Sequence, residues 1–373
     1  MTKLALGEEL IGENEEHLID RITLQNMFTM TLDKETGKQI RAQHTKGHGC
    51  AKARFTVRDD IPEELRKGVF AEPKTFNAII RFSNGAHKDD RKPDAHGMAI
   101  KLPGVREDGG DQDFVMADHP VYFAEGMRDY LAFNTFFHEI IFFKKDERER
   151  LKLSIDPRVA VTAYNWLVLW LRSKFVFVRG IVMIVIKEPK LLPRLKKFAG
   201  QTPSSPLKTH YWSTLPYRLG EKAVKYMAQS PLVGDADAQS GVRAFDGLHQ
   251  ALAKGLQDAP AKFTFGVHLQ TDAEAHPVED GTANWAEAGA PFYPLAELEI
   301  PQQTLCRTIA DQAAFTPWNA EEAHRPLGAI NRIRRSVYGE LSEARLIDQG
   351  LLEEEFARLA ESDPQDGADV ATG

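Results

Sequence analysis

Cysteine is scarce in this chain, which has two cysteines, Cys50 and Cys306, among 373 residues. Secreted domains that depend on disulfides carry many more per residue, and these two lie far apart in the sequence. We therefore expect no disulfide framework and a reducing, cytoplasmic compartment. Cys306 is expected to serve as a small buried apolar group.

Long hydrophobic runs are also missing. The most hydrophobic region, residues 159–186, is interrupted by arginine and lysine, and its apolar stretches are too short to cross a bilayer. Residues 1–7 run into acidic residues before a hydrophobic segment forms, so no secretory signal is expected. Basic residues bracket the aromatic residues between 166 and 177. This pattern leaves three interpretations: a core or subunit contact, contact with a membrane surface, or the wall of an apolar channel.

Positive charge is not in excess. Lysine and arginine total 47 against 54 acidic residues, and the resulting net charge of −7 argues against nucleic acid as a partner. The sequence contains neither a glycine-rich nucleotide loop nor an internal repeat. The remaining composition, 42% hydrophobic and 27% charged, is typical of a globular protein with a sizeable core.

The order of secondary-structure signals predicts an α+β fold. Two blocks of strand-like sequence flank a helical insertion, which suits an antiparallel barrel that the second block closes. Helical periodicity marks residues 14–32 of the N-terminal arm and residues 130–143, 159–171 and 220–229 of the insertion. The predicted parts are an arm at 1–40, barrel strands at 41–123 and 262–315 (the last at 312–315), the insertion at 127–258, a helix at 329–345, and a C-terminal helix with a disordered acidic tail at 346–373.

The predicted helix near the C-terminus carries an Arg-x-x-x-Tyr sequence, Arg334 to Tyr338, and Arg345 follows seven residues after the tyrosine. Residues at these spacings share one helix face, so a guanidinium would lie beside the phenol. A neighbouring cation favours the phenolate form of tyrosine, and phenolate oxygen is a suitable ligand for ferric haem iron. Alone, the spacing is common, and a surface pair beside a half-buried tyrosine is the alternative interpretation.

Four further motifs precede this one in the sequence. They are Arg-Ala-Gln-His-Thr-Lys-Gly at 41–47, Arg-Phe-Ser at 81–83, His-Gly-Met-Ala-Ile-Lys-Leu at 96–102 and Asp-Phe-Val-Met-Ala-Asp-His-Pro-Val-Tyr-Phe at 113–123. In content and order the five motifs resemble those of the catalase family. The resemblance implies an eight-stranded antiparallel barrel with a helical domain, a catalase-like haem domain over residues 41–345, haem b as cofactor, a hydroperoxide as substrate, and a homo-oligomer.

The resemblance also implies a role for each matching residue. His44 matches the distal histidine on the peroxide side of the haem, Ser83 the serine hydrogen-bonded behind it, and Tyr338 the iron ligand. An imidazole beside bound peroxide can move a proton between its oxygens. The other matches are an aromatic residue packed near the haem (Tyr122), the guanidinium partner of the ligand (Arg334), and arginines that complement the haem propionates (Arg41, Arg81 and Arg345).

One position departs from the family pattern. In an alignment without gaps the distal asparagine of the family falls on Ala117, and a shift of one residue would place Asp118 there. Neither side chain offers the amide donor that supports peroxide in the family. Three functions therefore stay open: a peroxidase or catalase acting on hydrogen peroxide or an organic hydroperoxide, a fatty-acid hydroperoxide-converting enzyme resembling allene oxide synthase-like members of the group, and a non-catalytic haem carrier or sensor.

Overall fold

The computed structural model describes residues 4–29, 31–32, 39–40, 44, 46–135, 188–234, 241–307, 310 and 313–349. The strands are β1 (Thr31–Leu32), β2 (Gln39–Ile40), β3 (Lys46–Val57), β4 (Thr75–Asn84), β5 (His96–Leu102), β6 (Gln112–Ala117), β7 (Tyr211–Trp212), β8 (Tyr217–Leu219), β9 (Lys222–Gln229), β10 (Ala261–Leu269) and β11 (Phe292–Ile300). The main helices are α1 (Glu15–Thr29), α2 (127–135), α3 (Leu191–Phe198), α4 (Gly247–Asp258) and α5 (Ala329–Gln349). Short 3-10 helices lie at Glu63–Leu65, Gly68–Phe70, Pro206–Lys208 and Glu322–His324.

Eight of the strands close into an antiparallel barrel. Their order around the barrel is β10, β11, β3, β4, β5, β6, β7 and β9, and β9 pairs with β10 to complete the ring. Closure pairs the strands that an open sheet would leave at its edges. β8 forms a hairpin with β9. The predicted eight-stranded antiparallel barrel is confirmed.

Alternate side chains on each strand fill the barrel. On β4, residues 78, 80 and 82 belong to the main core, whereas Ile79 belongs to a separate cluster on the outer face. Aromatic rings occupy the centre, where the ring of Phe114 lies 4.9 Å from Phe265 and 5.0 Å from Tyr226 between centroids. Because successive strand residues alternate between faces, residues 81 and 83 lie on the outer face with Ile79. The candidate site is built on this outer face.

A second apolar cluster joins helix α5 to the segment that follows β6. Ile330, Ile333 and Val337 of α5 pack there with residues 122–133 and with α3. On another side of α5, Arg332 forms ion pairs with three glutamates of the N-terminal arm, α1 and the 270–290 loop (Glu9, Glu15 and Glu279). The helix is therefore fixed on one side by apolar packing and on another by charge.

The prediction of a helix at residues 220–229 is wrong, because residues 222–229 form strand β9. Its sequence, Lys-Ala-Val-Lys-Tyr-Met-Ala-Gln, is rich in helix formers, and residues 223–228 are all buried. A strand covered on both faces shows no alternation of polar and apolar residues, and pairing with β7 and β10 overrides the local preference. Strands β7 to β9 thus lie within the range predicted as a helical insertion, and the barrel draws on three parts of the chain.

The remaining element predictions have mixed outcomes. Helix α1 ends at Thr29, before the predicted limit, and β1 follows it. Residues 313–315 form no strand, because Ala313 and Phe315 contribute side chains to the outer-face cluster instead. Helix α5 spans the predicted helix at 329–345. The predicted helical residues 136–143 and 159–171, the aromatic residues between 166 and 177, and the tail from residue 350 lie outside the described residues.

The part of the chain that the structure describes contains no helix that is both long enough and apolar enough to cross a bilayer.

Candidate active site

His44 lies two residues before β3 in an uncommon backbone conformation. Its φ is +53°, in the left-handed region that residues other than glycine rarely adopt. Its backbone N–H donates to the Gly85 carbonyl at 2.7 Å, and its Nδ1 lies 3.0 Å from Ser83 Oγ. Such a conformation persists where the surrounding contacts hold it, and it occurs often at functional sites. The contact between His44 and Ser83 that the family resemblance implies is present.

Gly97 on β5 is the residue against which the His44 ring packs. A Cβ at Gly97 would lie 2.7 Å from His44 Cε1 and 2.9 Å from Nδ1, which is closer than non-bonded atoms approach. In the sheet, Gly97 is the register partner of Ser83 on β4. Any larger residue would displace the imidazole, so glycine is required here.

Arg81 supports the His44 segment from the neighbouring position on β4. Its side chain is 3% exposed, and its Nη2 donates to the His44 carbonyl at 3.0 Å. Its Nε donates to the carbonyl of Ala310, in the segment that follows β11. The guanidinium therefore ties together the backbone at His44 and the backbone at residue 310.

Two rows of residues on the outer face of the barrel lie beside these groups. Ser83, Gly97 and Ala117 are register partners across β4, β5 and β6, and Arg81, Ala99 and Val115 form the next row. Ala117 therefore shares the face on which His44 packs, and it offers neither a donor nor an acceptor there.

Asp118 is turned away from this face. Its Oδ1 accepts from the backbone N–H of His96 at 2.8 Å, and its carboxyl lies near the buried hydroxyl of Tyr211, a residue of the barrel core. Burial raises the pKa of the Asp118 carboxyl well above its usual range, so the protonated form is favoured. Of the two alternatives left open by the sequence, Ala117 is the residue on the side of His44.

Arg334 and Tyr338 are in contact on helix α5. Arg334 Nη2 donates to the Tyr338 hydroxyl at 3.2 Å, and the guanidinium carbon lies 5.1 Å from the centre of the tyrosine ring. Arg334 is 8% exposed. Burial disfavours its charged form, but the hydroxyl groups of Tyr338 and Tyr217 outweigh that effect and raise the pKa of Arg334 above its ordinary value. The guanidinium therefore keeps its charge beside the Tyr338 oxygen.

Asn331 holds Arg334 in place, and this role was missed in the sequence. Its Oδ1 accepts from Arg334 Nη1 at 3.2 Å, and its Nδ2 donates to the carbonyls of Pro216 and Leu327, both at 2.9 Å. The residue is fully buried. Asn331 precedes Arg334 by three positions and Tyr338 by seven, so helix spacing was the signal that could have revealed it.

Tyr122 lies against the α5 helix and connects the two halves of the site. Its ring packs 4.4 Å from Phe123 and 5.7 Å from Phe198 between centroids. Burial raises the pKa of the Tyr122 hydroxyl well above its ordinary value, and the charges of Arg334 and Tyr338 also act on it. Tyr122 follows Ala117 by five residues, a length of chain that spans at most about 17 Å. The His44 face and the Tyr338 helix are therefore neighbours.

A polar connection anchors α5 to the barrel from the other direction. Trp318 Nε1 donates to the Asn331 carbonyl at 2.8 Å, and Asn319 Nδ2 donates to Asp113 Oδ2 at 3.1 Å. Asp113 is fully buried on β6 and forms an ion pair of 2.7 Å with Lys101 on β5. This connection links the base of the Arg334–Tyr338 helix to the strands that carry Gly97 and Ala117.

Two of the three predicted propionate arginines are not described. Arg41 lies outside the described residues, and the side chain of Arg345 on α5 does too. Arg81 is described, and its guanidinium donates to the backbone carbonyls of His44 and Ala310. The assignment of all three to the haem propionates stays a prediction.

The chain is similar to known catalases in part of its sequence and in its fold. The model of the Catalase family matches residues 11–168, the range that contains β3 to β6 and Tyr122. A comparison with curated proteins finds no match. Similar solved structures are a fungal catalase (TM-score 0.54, 16% identity, 98% of this chain and 68% of that one), catalase A from Saccharomyces cerevisiae (0.54, 16%, 98% and 70%) and a bacterial catalase (0.51, 17%, 95% and 64%).

At such identities the structural likeness concerns the fold, which extends over nearly the whole of this chain. The range that the family model matches contains His44, Ser83 and Tyr122. The chain therefore has the fold of the catalases, and residues 11–168 match the sequence model of that family.

Proposed function

We propose that the protein is a haem b-dependent oxidoreductase that acts on hydroperoxides, with Tyr338 as the iron ligand and His44 as the acid–base residue. The match of residues 11–168 to the Catalase family model supports the reaction class. The observation that carries the proposal is the contact between the buried Arg334 guanidinium and the Tyr338 hydroxyl. A tyrosine beside a permanent cation is suited to bind ferric iron as phenolate.

The residues present fit a haem. Tyr338 is partly exposed while Arg334 and Val337 beside it are buried, so its oxygen can take a ligand bond with the guanidinium behind it. His44 and Ala117 are also partly exposed, on the outer face of the barrel. Small side chains on that face and the aromatic rings around residue 122 form the apolar surroundings that a macrocycle needs. The arginines at positions 41, 81 and 345 are proposed to complement the propionates.

His44 is assigned the proton transfer. When bound, the haem would supply the redox-active iron of the reaction. His44 Nε2 would take a proton from one peroxide oxygen and give it to the leaving oxygen, which promotes heterolysis of the O–O bond. The Ser83 hydroxyl can donate to Nδ1 or accept from it, so it holds the ring in either tautomer during the transfer. Arg334 donates a hydrogen bond to the Tyr338 oxygen and holds it in position.

The position of Ala117 favours a second candidate, the conversion of a fatty-acid hydroperoxide without an external reductant. Ala117 and Gly97 are register partners beside His44, and Ala99 lies in the next row. None of these side chains donates a hydrogen bond to peroxide, and all of them are small. Such a face suits a bulky organic hydroperoxide better than it suits the two-electron oxidation of hydrogen peroxide.

Optical titration of the haem-loaded protein with hydrogen peroxide and with a lipid hydroperoxide separates these reactions. Oxygen release indicates catalase activity, and consumption that needs a reductant indicates a peroxidase. Loss of the lipid conjugated diene without reductant indicates the converting enzyme. No turnover of either peroxide by the loaded protein would contradict the proposal and leave a carrier or sensor.

His44→Ala provides the residue-level test in the same assay. Haem should be retained, because the proposed ligand is on another element, while turnover falls by about 10²–10⁴-fold, the usual contribution of an acid–base group. His87→Ala is the matched control, since His87 is exposed in the loop that follows β4. A fall of less than about threefold for His44→Ala would remove this residue from the mechanism.

A further inference from the structure

The two cysteines, distant in sequence, face each other in the fold. Cys50 on β3 and Cys306 form an isolated antiparallel bridge, in which the Cys50 N–H donates to the Cys306 carbonyl at 2.9 Å and the Cys306 N–H donates to the Cys50 carbonyl at 3.2 Å. A pair that exchanges both hydrogen bonds has its Cα atoms about 5.5 Å apart and its side chains on the same face. That separation lies within the range that disulfides span, about 4.4–6.8 Å.

Both thiols belong to the same small cluster on the outer face of the barrel. Cys50 is 3% exposed and Cys306 is half-buried, and they pack with Ile79, Ala99, Ala310, Ala313 and Phe315. Shared membership of one cluster confirms that the two side chains point to the same side of the bridge.

The pair also adjoins the residues that support His44. Cys50 is the register partner of Arg81 on β4, and Arg81 donates to the carbonyl of Ala310, four residues after Cys306. A covalent link between the two cysteines would fix the segment at residues 306–310 against β3. It would thereby fix one of the two carbonyls that orient the Arg81 guanidinium beside His44.

We propose that Cys50 and Cys306 are a redox-active dithiol that closes reversibly to an intramolecular disulfide, with a hydroperoxide as oxidant. This inference goes beyond the proposed function and takes from it only the class of oxidant. The half-buried Cys306 reacts first: its thiolate attacks one peroxide oxygen, the O–O bond breaks, and a sulfenic acid and one water (or alcohol) result. The Cys50 thiolate then attacks the sulfenic sulfur, the S–S bond forms, and a second water leaves. Two thiols lose two electrons and two protons, and the peroxide gains both.

Reduction by a dithiol or by glutathione reverses the step through thiol–disulfide exchange. The link would close a loop of more than two hundred residues, because it joins β3 to the segment after β11. A cross-link between residues far apart in the sequence removes much conformational freedom from the unfolded chain, so the oxidised protein should unfold at a higher temperature. The reduced and oxidised forms therefore differ in a property that is measurable without any activity.

The test is a glutathione redox series on the full-length protein, in haem-loaded and haem-free form, followed by acid quenching, unfolding, differential alkylation and mass spectrometry. Both cysteines should lose alkylation together at the oxidising end of the series. The product should be a monomer lighter by two hydrogen atoms, with a melting temperature higher by roughly 3 °C or more. Hydrogen peroxide should give the same product in the haem-free form, so failure of the proposed haem chemistry would leave this result intact.

Cys306→Ser and Cys50→Ser are the matched controls. The wild-type result stands by itself, even if one of these variants folds poorly. In each single variant, the remaining cysteine should form no internal disulfide, and the rise in melting temperature should be absent. The proposal is overturned if both wild-type thiols stay open to alkylation at the oxidising end. It is equally overturned if oxidation gives a glutathione adduct on Cys306 alone, a linked dimer, or a disulfide that glutathione produces but peroxide does not.

Discussion

Replacement of Gly97 by alanine tests how the His44 ring is positioned. A Cβ at this site would lie 2.7 Å from His44 Cε1 and 3.0 Å from Ser83 Oγ. Ordinary carbon contacts begin near 3.5 Å, so the ring must move by roughly 0.8 Å. The backbone cannot follow freely, because the His44 N–H is bonded to Gly85 and its carbonyl accepts from Arg81.

The displacement should lower peroxide turnover by on the order of 10²-fold, since misplacing a catalytic group by about 1 Å has effects of that size. The stability cost of overpacking should be about 1–3 kcal/mol. Haem affinity should hardly change, because Arg334 and Tyr338 lie on α5, away from the substitution.

The assay measures initial rates of peroxide consumption by haem-loaded protein, with haem content and melting temperature determined on the same samples. Gly126→Ala is the matched control, because a Cβ there would meet no atom within 4 Å. If Gly97→Ala keeps its turnover within about threefold of wild type, with fold and haem intact, the ring position does not govern the reaction.

Three further outcomes are expected. Arg334→Met removes the donor to the Tyr338 hydroxyl and should weaken haem binding by about 10–100-fold in a haem titration. This size follows from the loss of a charged hydrogen bond worth about 1.5–3 kcal/mol, and Arg334→Lys should recover part of the lost affinity. Ala117→Asn should raise oxygen release from hydrogen peroxide roughly fivefold by adding a donor worth about 1 kcal/mol, and an equal gain on a lipid hydroperoxide would contradict the specialised pocket. Burial lowers the pKa of His324 from 6.5 to about 3. Above pH 6.5 the titration of His324 leaves the free energy of unfolding unchanged. Between pH 6.5 and about 3 only the unfolded state takes up the proton, so the free energy of unfolding falls by about 1.4 kcal/mol for each pH unit. In denaturant unfolding, His324→Gln should remove that slope.

Local spacing made part of the site predictable from the sequence. Arg334 and Tyr338 are i and i+4 on one helix, and the hydrogen bond between them follows from helix geometry. The same periodicity places Asn331 on that face, although only the structure reveals its carbonyl partners. The His44–Ser83 contact was available through the family resemblance, because no local spacing connects the two residues.

Features that depend on strand register could not be predicted from the sequence. The alignment without gaps gave Ala117 and a shift of one residue gave Asp118, and the pairing of β6 with β5 shows that Ala117 shares a face with Gly97. Strand β9, buried at residues 223–228, shows no alternation of polar and apolar residues, so its sequence pattern predicts a helix. The Cys50–Cys306 bridge joins segments far apart in the chain, and separation in sequence carries no information about such a contact.

Ligation of haem iron by Tyr338 is tested most directly by the ferric absorption spectrum of the reconstituted protein and its variants. Wild type and Tyr293→Phe, a control that removes the hydroxyl of a half-buried tyrosine on β11, should bind haem and share one spectrum typical of phenolate ligation. Tyr338→Phe should lose haem or show a different ferric spectrum. A Tyr338→Phe protein that binds haem with the wild-type ferric spectrum would contradict the assignment of Tyr338 as the iron ligand.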